Sequence, residues 1–263
     1  MLKTRILTAL VLLIVLIPSL FFGSAFLWTV LTTAIVGVAA WEWGALLGAS
    51  DKQSKVYAVG VAVLCVLLVF ANPADFSYLL YGLAVIFWCV VVPLWLRQKW
   101  VLGNTARGWM VGLVVLLPAW LALIQLREVS ASLLLSILAI AWVADIAAYF
   151  AGRRWGKHKL APSISPGKTW EGAAGALVGI LIYAGLLAIV TQQSFPLIPA
   201  VLALGLITAI SIIGDLFESL LKRQAGIKDS SQVLPGHGGV LDRIDSLTSV
   251  LPVAAAMILL FFP

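Results

Sequence analysis

The sequence predicts an all-α, polytopic integral membrane protein with about nine transmembrane helices. Hydrophobic residues make up 62% of the 263 residues and charged residues 11%, against about 45–50% and about 25% in soluble domains. The mean hydropathy is +1.10. Polar side chains are therefore too few to cover a water-facing surface, and we expect residues 1–263 to form a single membrane domain.

Apolar runs predict the individual helices, because about 20 apolar residues in a helix cross a bilayer. The predicted spans are 6–22, 25–48, 56–72, 78–96, 109–126, 131–151, 173–191, 196–221 and 246–262. The third is short and the eighth is long, so we expect tilt or an extension beyond the interface there. The first run also resembles a signal peptide, but a second apolar run follows it almost at once, which favours a retained first span.

The basic residues predict the orientation. With the amino terminus in the cytoplasm, sixteen of the 17 Lys and Arg residues fall on the cytoplasmic side, and only Arg127 falls outside. This bias satisfies the positive-inside rule. It explains the net charge of +6 by membrane sidedness and anionic head groups, so we expect membrane lipids and no nucleic acid as partners.

The acidic residues gather at the same boundary. Nine of the 11 Asp and Glu residues fall on the cytoplasmic side or near the cytoplasmic ends of spans; Asp75 and Glu128 fall outside. Ionisable groups in membrane segments are costly and indicate function. Two long connections rich in Gly, Pro and Lys, 152–172 and 222–245, lie at this boundary. We therefore expect a site there that acts on something delivered from the cytoplasm.

The connection 222–245 and its flanks combine residues suited to phosphate and metal. Asp215 and Glu218 share one face of the eighth helix, and Asp242 and Asp245 repeat that spacing. Carboxylates bind Mg²⁺ through hard oxygens, usually together with substrate phosphates. We predict a Mg²⁺ site at Asp215 and Asp242, holding two ions or a mixed pair, with Glu218 and Asp245 as further candidates. The alternative for Glu218 and Asp245 is ion pairing or helix capping.

A second cluster precedes the seventh span. Asp145 and Tyr149 lie on one helical face. Ser165 and Pro166 are expected as the N-cap and first residue of a helix, which would place Lys168 at a helix start, where anions bind.

Three features of these loops have more than one interpretation. Lys168 stands in a Gly-Lys-Thr sequence, but Pro162 occupies the leading position of a P-loop and no strand precedes it, so that motif is rejected. His237 is a candidate general base, phosphate donor or structural residue. A phosphate monoester is largely deprotonated near neutral pH, its second pKa being about 6, so a base is not required. His158 has no partner that the sequence identifies.

The stretch from Ser219 to Asp245 resembles a known motif, S-x-φ-K-R-x₄-K-D-x-[GSA]-x₂-φ-[PG]-x-H-G-G-φ-x-D-R-φ-D, where φ is apolar. This motif belongs to phosphatidate cytidylyltransferases, or CDP-diacylglycerol synthases, and all its specified positions are satisfied. The resemblance implies an inner-membrane enzyme that converts CTP and phosphatidic acid to CDP-diacylglycerol and pyrophosphate with Mg²⁺. It also implies amino-terminal helices over about 1–108, catalytic helices and cytoplasmic loops over about 109–263, and a homodimer.

The resemblance and the clusters together predict the site residues. The predicted catalytic residues are Asp215, Asp242, Lys222, Arg223, Lys228, His237 and Arg243. The predicted substrate-binding residues are Asp145, Tyr149, Ser165, Lys168, Thr169, Glu171, Gly238 and Gly239. Family members often carry Lys at the position of Gly167, so in this chain the phosphate contact is assigned to Lys168.

Three other functions fit the sequence less well. A transporter of phosphorylated solutes would place charges near the bilayer midplane and often contain internal repeats, and neither is visible. A CDP-alcohol phosphotransferase would need paired D-G and D-x₃-D motifs, which differ from the spacing of the acids in this sequence. A non-catalytic relative is disfavoured because the loop motif is intact.

Overall fold

The computed structural model of the protein describes residues 2–71, 74–192 and 196–261. Asn72 and Phe262, which end the third and ninth predicted spans, lie outside the described residues, as do the side chains of Lys3, Arg5 and Asp75.

The described chain is built almost entirely of helices. They are α1 (Leu2–Phe22), α2 (Ala25–Leu46), α3 (Asp51–Ala71), α4 (Ala74–Ile86), α5 (Val92–Gln98), α6 (Ala106–Val129), α7 (Ala131–Trp155), α8 (Trp170–Thr191), α9 (Leu197–Gln224) and α10 (Leu241–Phe261). A π-helical turn, Phe87–Val91, joins α4 to α5. The exception to the helices is a hairpin of β1 (Lys159–Ala161) and β2 (Ser165–Thr169), which pair in antiparallel fashion.

The predicted fold class is confirmed. Seven helical segments of the described chain are long and apolar enough to cross a membrane by length and composition, with Phe76–Gln98 counted as one. Helix α1 adds a shorter apolar stretch, Ile6–Phe22, and α10 is the last of the predicted spans. The count of nine is therefore approximate, while the all-α polytopic architecture holds.

Helix α6 lies in the centre of the bundle and packs against α2, α4, α7 and α10. Indole N–H groups tie it to α2 in the apolar core. Trp28 and Trp43 of α2 donate to the backbone oxygens of Leu123 (3.0 Å) and Gly108 (3.1 Å). Since a buried donor without a partner costs free energy, these bonds stabilise the registry of the amino-terminal helices on α6.

Arg127 connects α6 to the end of α1. Its guanidinium donates to the carbonyl oxygens of Leu20 (2.9 Å) and Gly23, and it lies 5.3 Å from the centre of the Trp28 ring. The last carbonyls of a helix have no partner inside the helix. The one basic residue predicted on the outer side therefore caps a helix.

The predicted helix start at Ser165 and Pro166 is wrong. Ser165 belongs to β2 and pairs with Ala161, and α8 begins at Trp170. The hydroxyl of Thr169 accepts the N–H of Gly172 at 3.1 Å, which makes Thr169 the N-cap. Cross-strand pairing satisfies the backbone before this cap, so Lys168 lies on a strand next to the helix start.

Candidate active site

Two lysine–carboxylate pairs define the centre of the site. Lys168 Nζ of β2 lies 2.5 Å from Asp215 Oδ2 of α9. Lys222 Nζ, two turns further along α9, lies 2.6 Å from Asp242 Oδ1 at the start of α10. All four side chains are mostly shielded from solvent. These pairs join three elements that the sequence separates by long connections.

Further carboxylates link the two pairs electrostatically. Asp145 of α7 interacts with Asp215, Lys168 and Arg243. Asp245 interacts with Asp215, Asp145 and Lys168. Glu218 interacts with Asp245, Lys222 and Asp242. The predicted catalytic and metal-binding carboxylates therefore form one continuous cluster at the ends of α7, α9 and α10.

This cluster carries an excess of negative charge. Its five carboxylates face three cations, Lys168, Lys222 and Arg243, so two negative charges are uncompensated when all five carboxylates are ionised. Glu218 is buried; its Oε1 lies 3.4 Å from Lys222 Nζ in an ion pair, and no described residue donates a hydrogen bond to either of its carboxylate oxygens. A divalent cation with a preference for hard oxygen ligands would balance this charge, so the residues fit Mg²⁺.

The Mg²⁺ ligands are not already gathered in the described residues. No group of three or more His, Cys, Asp or Glu side chains is arranged there to hold a metal ion, and Asp215 and Asp242 each contact a lysine. Mg²⁺ commonly uses one or two carboxylates and completes its coordination with water and substrate phosphates. An ion held by one or two of these carboxylates would therefore need water or a ligand to complete its coordination.

A cavity of about 470 Å³ opens beside the Lys168–Asp215 pair. Its polar lining includes Asp145, Tyr149, Arg153, Ser165, Lys168, Thr169 and Asp215. Its apolar lining includes Ala144, Ala148, Ala173, Ala176 and Ile212. The cavity therefore combines a charged part with an apolar part contributed by α7, α8 and α9.

Asp242 organises the connection between α9 and α10. Its Oδ2 accepts the N–H of Gly239 (2.8 Å) and the N–H and hydroxyl of Ser230 (2.9 and 3.0 Å). Asp242 lies outside the ninth predicted span, 246–262, at the start of α10. Burial acts to raise the pKa of its carboxyl, but Lys222 and these backbone N–H groups outweigh burial and lower that pKa below its ordinary value. Asp242 is therefore held as a carboxylate.

Glu42 of α2 is a second, fully buried carboxylate at this connection. It accepts the backbone N–H groups of Val240 (2.9 Å) and Leu241 (2.6 Å) and the hydroxyl of Ser231 (2.5 Å). The Ser230 hydroxyl lies 3.1 Å from its Oε2 and shares its one hydrogen between Glu42 and Asp242. Glu42 is one of the nine acidic residues predicted on the cytoplasmic side or near the cytoplasmic ends of spans, but the predicted site residues did not include it. An acid inside an otherwise apolar span was the signal that marked it.

The glycines after His237 have distinct structural reasons. Gly238 has φ +85°, a left-handed conformation that favours glycine, and its carbonyl accepts the N–H of Leu234. A Cβ on Gly239 would lie 2.6 Å from Glu42 Oε1. His237 is partly buried, and no described residue bonds its Nδ1. The structure thus gives the two glycines roles in loop shape, while the role of His237 stays a prediction.

The remaining predicted cations are more exposed. Arg223, Lys228 and Arg243 are exposed at this boundary, and Arg223 makes one long contact, 3.5 Å, to the carbonyl of Ile227. Arg243 interacts with Asp145. These side chains are free to approach a ligand without breaking a buried contact.

Glu171 has a protein partner that the sequence did not identify. His158 Nδ1 lies 2.6 Å from Glu171 Oε1, and the His158 backbone N–H donates to both carboxylate oxygens. The sequence identified no partner for His158, and the structure supplies one because the hairpin brings His158 back to the first turn of α8. Among the described residues, Glu171 is not part of the cavity lining.

The chain is similar to known proteins over nearly its full length. The profile of the cytidylyltransferase family matches residues 3–261. The chain is 42% identical over 265 residues to a phosphatidate cytidylyltransferase of Pseudomonas aeruginosa, covering 98% of this chain and 97% of the relative. It is 34% identical over 282 residues to that of Haemophilus influenzae, covering 96% of each. The chain therefore belongs to the cytidylyltransferase family and is a nucleotidyltransferase, as the motif over 219–245 predicts.

Proposed function

We propose that this nucleotidyltransferase transfers a cytidylyl group from CTP to phosphatidic acid, giving CDP-diacylglycerol and pyrophosphate in a Mg²⁺-dependent reaction. The observation that carries the proposal is the Lys168–Asp215 pair, which lies between the carboxylate cluster and a cavity that is partly apolar. The relatives named phosphatidate cytidylyltransferase supply the substrate class.

The cavity suits the lipid head group. Its apolar lining of small residues from α7 and α8, together with Ile212, would accommodate the glycerol and ester region. Lys168 and Arg153 at the same cavity would neutralise the lipid phosphate. Charge-assisted contacts of this kind are stronger than neutral hydrogen bonds. The acyl chains would remain in the bilayer while the phosphate reaches the boundary.

The nucleotide would bind on the side of Lys222. Lys222, Arg223, Lys228 and Arg243 carry four positive charges at the end of α9 and the start of α10, where a triphosphate needs them. Phosphoryl-type transfer depends mainly on positioning and electrostatic stabilisation. These residues would orient the triphosphate so that its α-phosphorus faces the lipid phosphate.

The chemistry is a single in-line displacement. An oxygen of the phosphatidic acid phosphate forms a bond to the α-phosphorus of CTP, while the bond from that phosphorus to the bridging oxygen breaks and pyrophosphate leaves. The attacking phosphate is largely deprotonated near neutral pH, so no side chain needs to remove a proton. His237 would then serve as a donor to phosphate or as a structural residue, and no covalent enzyme intermediate forms.

Mg²⁺ would be held by Asp215 and Asp242, with Glu218 and Asp245 as further ligands, because the carboxylates of this cluster outnumber the lysine and arginine side chains that face them. When bound, the ion supplies charge neutralisation on phosphate oxygens. We expect two ions or a mixed pair.

The site would face the cytoplasm of a bacterial inner membrane, since the basic residues favour this orientation and the relatives are bacterial. Thiol-reactive labels on cysteines introduced at 152–172 and 222–245 should react only from the cytoplasmic side. Labelling of either connection from the outside in active protein would contradict the orientation. A homodimer is expected from the family resemblance.

Pyrophosphate release by detergent-purified protein tests the reaction. We expect release with CTP, phosphatidic acid and Mg²⁺, and none when Mg²⁺ is chelated. Diacylglycerol, which lacks the attacking phosphate, is the matched control lipid. Equal release with diacylglycerol, or none with phosphatidic acid, would contradict the proposal.

A further inference from the structure

We infer that Glu42 of α2 is a positioning residue for the reaction: it sets the conformation of the segment 230–241, which presents Asp242, Gly238 and Gly239 at the site. The role in the reaction rests on the proposed function, whereas the role in loop conformation stands on the contacts alone. The amino-terminal helices would thereby take part in the active site and not only in membrane anchorage.

The contacts of Glu42 are unusual in number and in origin. Two backbone N–H groups and two hydroxyls converge on its two oxygens at 2.5 to 3.1 Å. All four donors lie in the segment 230–241, between 188 and 199 residues away in the chain. A carboxylate is an acceptor with about four lone-pair sites, so this side chain matches the donor set.

The segment has few other means of holding its shape. Its backbone–backbone bonds among the described residues are the Leu234–Gly238 bridge, a turn bond from His237 to Leu234 and a bond from Arg243 to Val240. Apart from Glu42, side-chain acceptors for its N–H groups are Asp242 and Ser231. Val240 and Leu241 lie at the start of α10, where the first N–H groups have no acceptor inside the helix. Glu42 therefore supplies the N-terminal cap of α10 from another helix.

Ser230 transmits this constraint to Asp242. Its hydroxyl lies 3.1 Å from Glu42 Oε2 and 3.0 Å from Asp242 Oδ2, so it links the buried acceptor of α2 to the site carboxylate. The absence of a side chain on Gly239 allows Glu42 to approach, because a Cβ would lie 2.6 Å from Glu42 Oε1. A shift of Glu42 would therefore move the Gly239 backbone, whose N–H donates to Asp242.

Glu42→Gln is the sharpest test, because it preserves volume but places an NH₂ group against one pair of donors. The N–H of Val240 or Leu241 then loses its acceptor, since a backbone donor cannot reverse. We expect kcat to fall about tenfold or more, with a smaller change in the KM for CTP. Hydrogen exchange in the segment 230–241 should accelerate, while exchange in α6 stays at the parent rate.

Two further variants make the test specific. Thr32→Val is the matched control, since Thr32 is also buried in α2 but bonds only carbonyls of its own helix; it should leave kcat and the exchange of 230–241 unchanged. Ser231→Ala removes one donor from the loop side and should give the same pattern more weakly. If Glu42→Gln does not fold, Ser231→Ala serves as the test in its place.

Parent-like kcat and exchange in Glu42→Gln, or in Ser231→Ala where it replaces that variant, would overturn the inference. So would accelerated exchange throughout the protein, because that pattern describes a general core residue. If the parent itself lacks cytidylyltransferase activity, the proposed function fails, and the exchange data still decide whether Glu42 holds the loop.

Discussion

The two long connections, between α7 and α8 and between α9 and α10, are held in different ways. The connection between α7 and α8 pairs its own backbone in the β1–β2 hairpin, and Lys168 extends from that hairpin to Asp215. The connection between α9 and α10 has one isolated bridge, and its amide groups are accepted by Glu42 and Asp242. The first loop would keep its shape without its charges, whereas charged side chains determine the shape of the second.

This difference follows from the residues available. The segment 159–169 folds back on itself, so its two strands satisfy each other's backbone groups by antiparallel pairing. The segment 225–240 contains four glycines and one proline, which leaves its backbone conformationally free and short of local partners. Removing the carboxylate of Asp215, which pairs with Lys168 of the first connection, should therefore disturb catalysis alone. Removing that of Asp242 or Glu42 should disturb both the structure of the second connection and catalysis.

The largest expected effect comes from Asp215→Asn and Asp242→Asn, which remove the charge that a hard cation needs. Each change should nearly abolish turnover, and the double change should be little worse than either, as for residues that act as a unit. The comparison predicts a further difference: Asp242→Asn should accelerate hydrogen exchange in 230–241, and Asp215→Asn should not. Raised Mg²⁺ should partly restore Asp215→Asn.

Modest, additive losses with unchanged Mg²⁺ dependence would contradict this prediction. The two carboxylates would then be structural, and the metal ligands would have to be sought among Asp145, Glu171, Glu218 and Asp245.

The next largest effect is expected for Lys168→Ala and Arg243→Ala. Each would remove one proposed charge-assisted phosphate contact, worth about 1.5–3 kcal/mol, or roughly 10- to 150-fold in kcat/KM. Lys55→Ala is a suitable control, since Lys55 pairs with Asp51 in an exposed contact within α3. Activity within about twofold of the parent for both site variants would show that they are solvated charges.

A smaller effect is expected at the cap of α8. Thr169→Ala removes the hydroxyl that accepts the Gly172 N–H and should lower the free energy of unfolding by about 1 kcal/mol, measured by thermal denaturation in detergent. Thr169→Ser keeps the hydroxyl and should retain most of the stability. An equal loss of stability in the serine and alanine variants would contradict the role of the hydroxyl as the cap.

The smallest effect is expected for Glu171→Gln. The carboxylate contacts His158 at an exposed position, and exposed ion pairs contribute little to stability. Because the hairpin retains its own pairing, activity should stay within about twofold of the parent, measured by pyrophosphate release. A severe loss would restore Glu171 to the substrate-binding residues that the sequence predicts.

Several features were accessible from the sequence because they depend on local information. Hydropathy predicts apolar helices, since each must satisfy its backbone internally in a membrane. The spacing of Asp215 and Glu218 predicts a shared face, and the 219–245 motif predicts the family. The helix start at Ser165 failed because the pairing of Lys159 with Thr169 and of Ala161 with Ser165 places Ser165 in a strand, and this pairing is not visible in the local sequence.

The sequence by itself determined the all-α membrane architecture and the family, because composition, apolar run length and a contiguous motif need no knowledge of contacts. Only the tertiary structure decided the partners: Lys168 with Asp215, Lys222 with Asp242, and Glu42 with the loop before α10. The physical reason is sequence separation. Glu42 and Leu241 are 199 residues apart, and packing of α2 near α10 around α6 is what brings a buried acceptor to backbone donors that have none of their own.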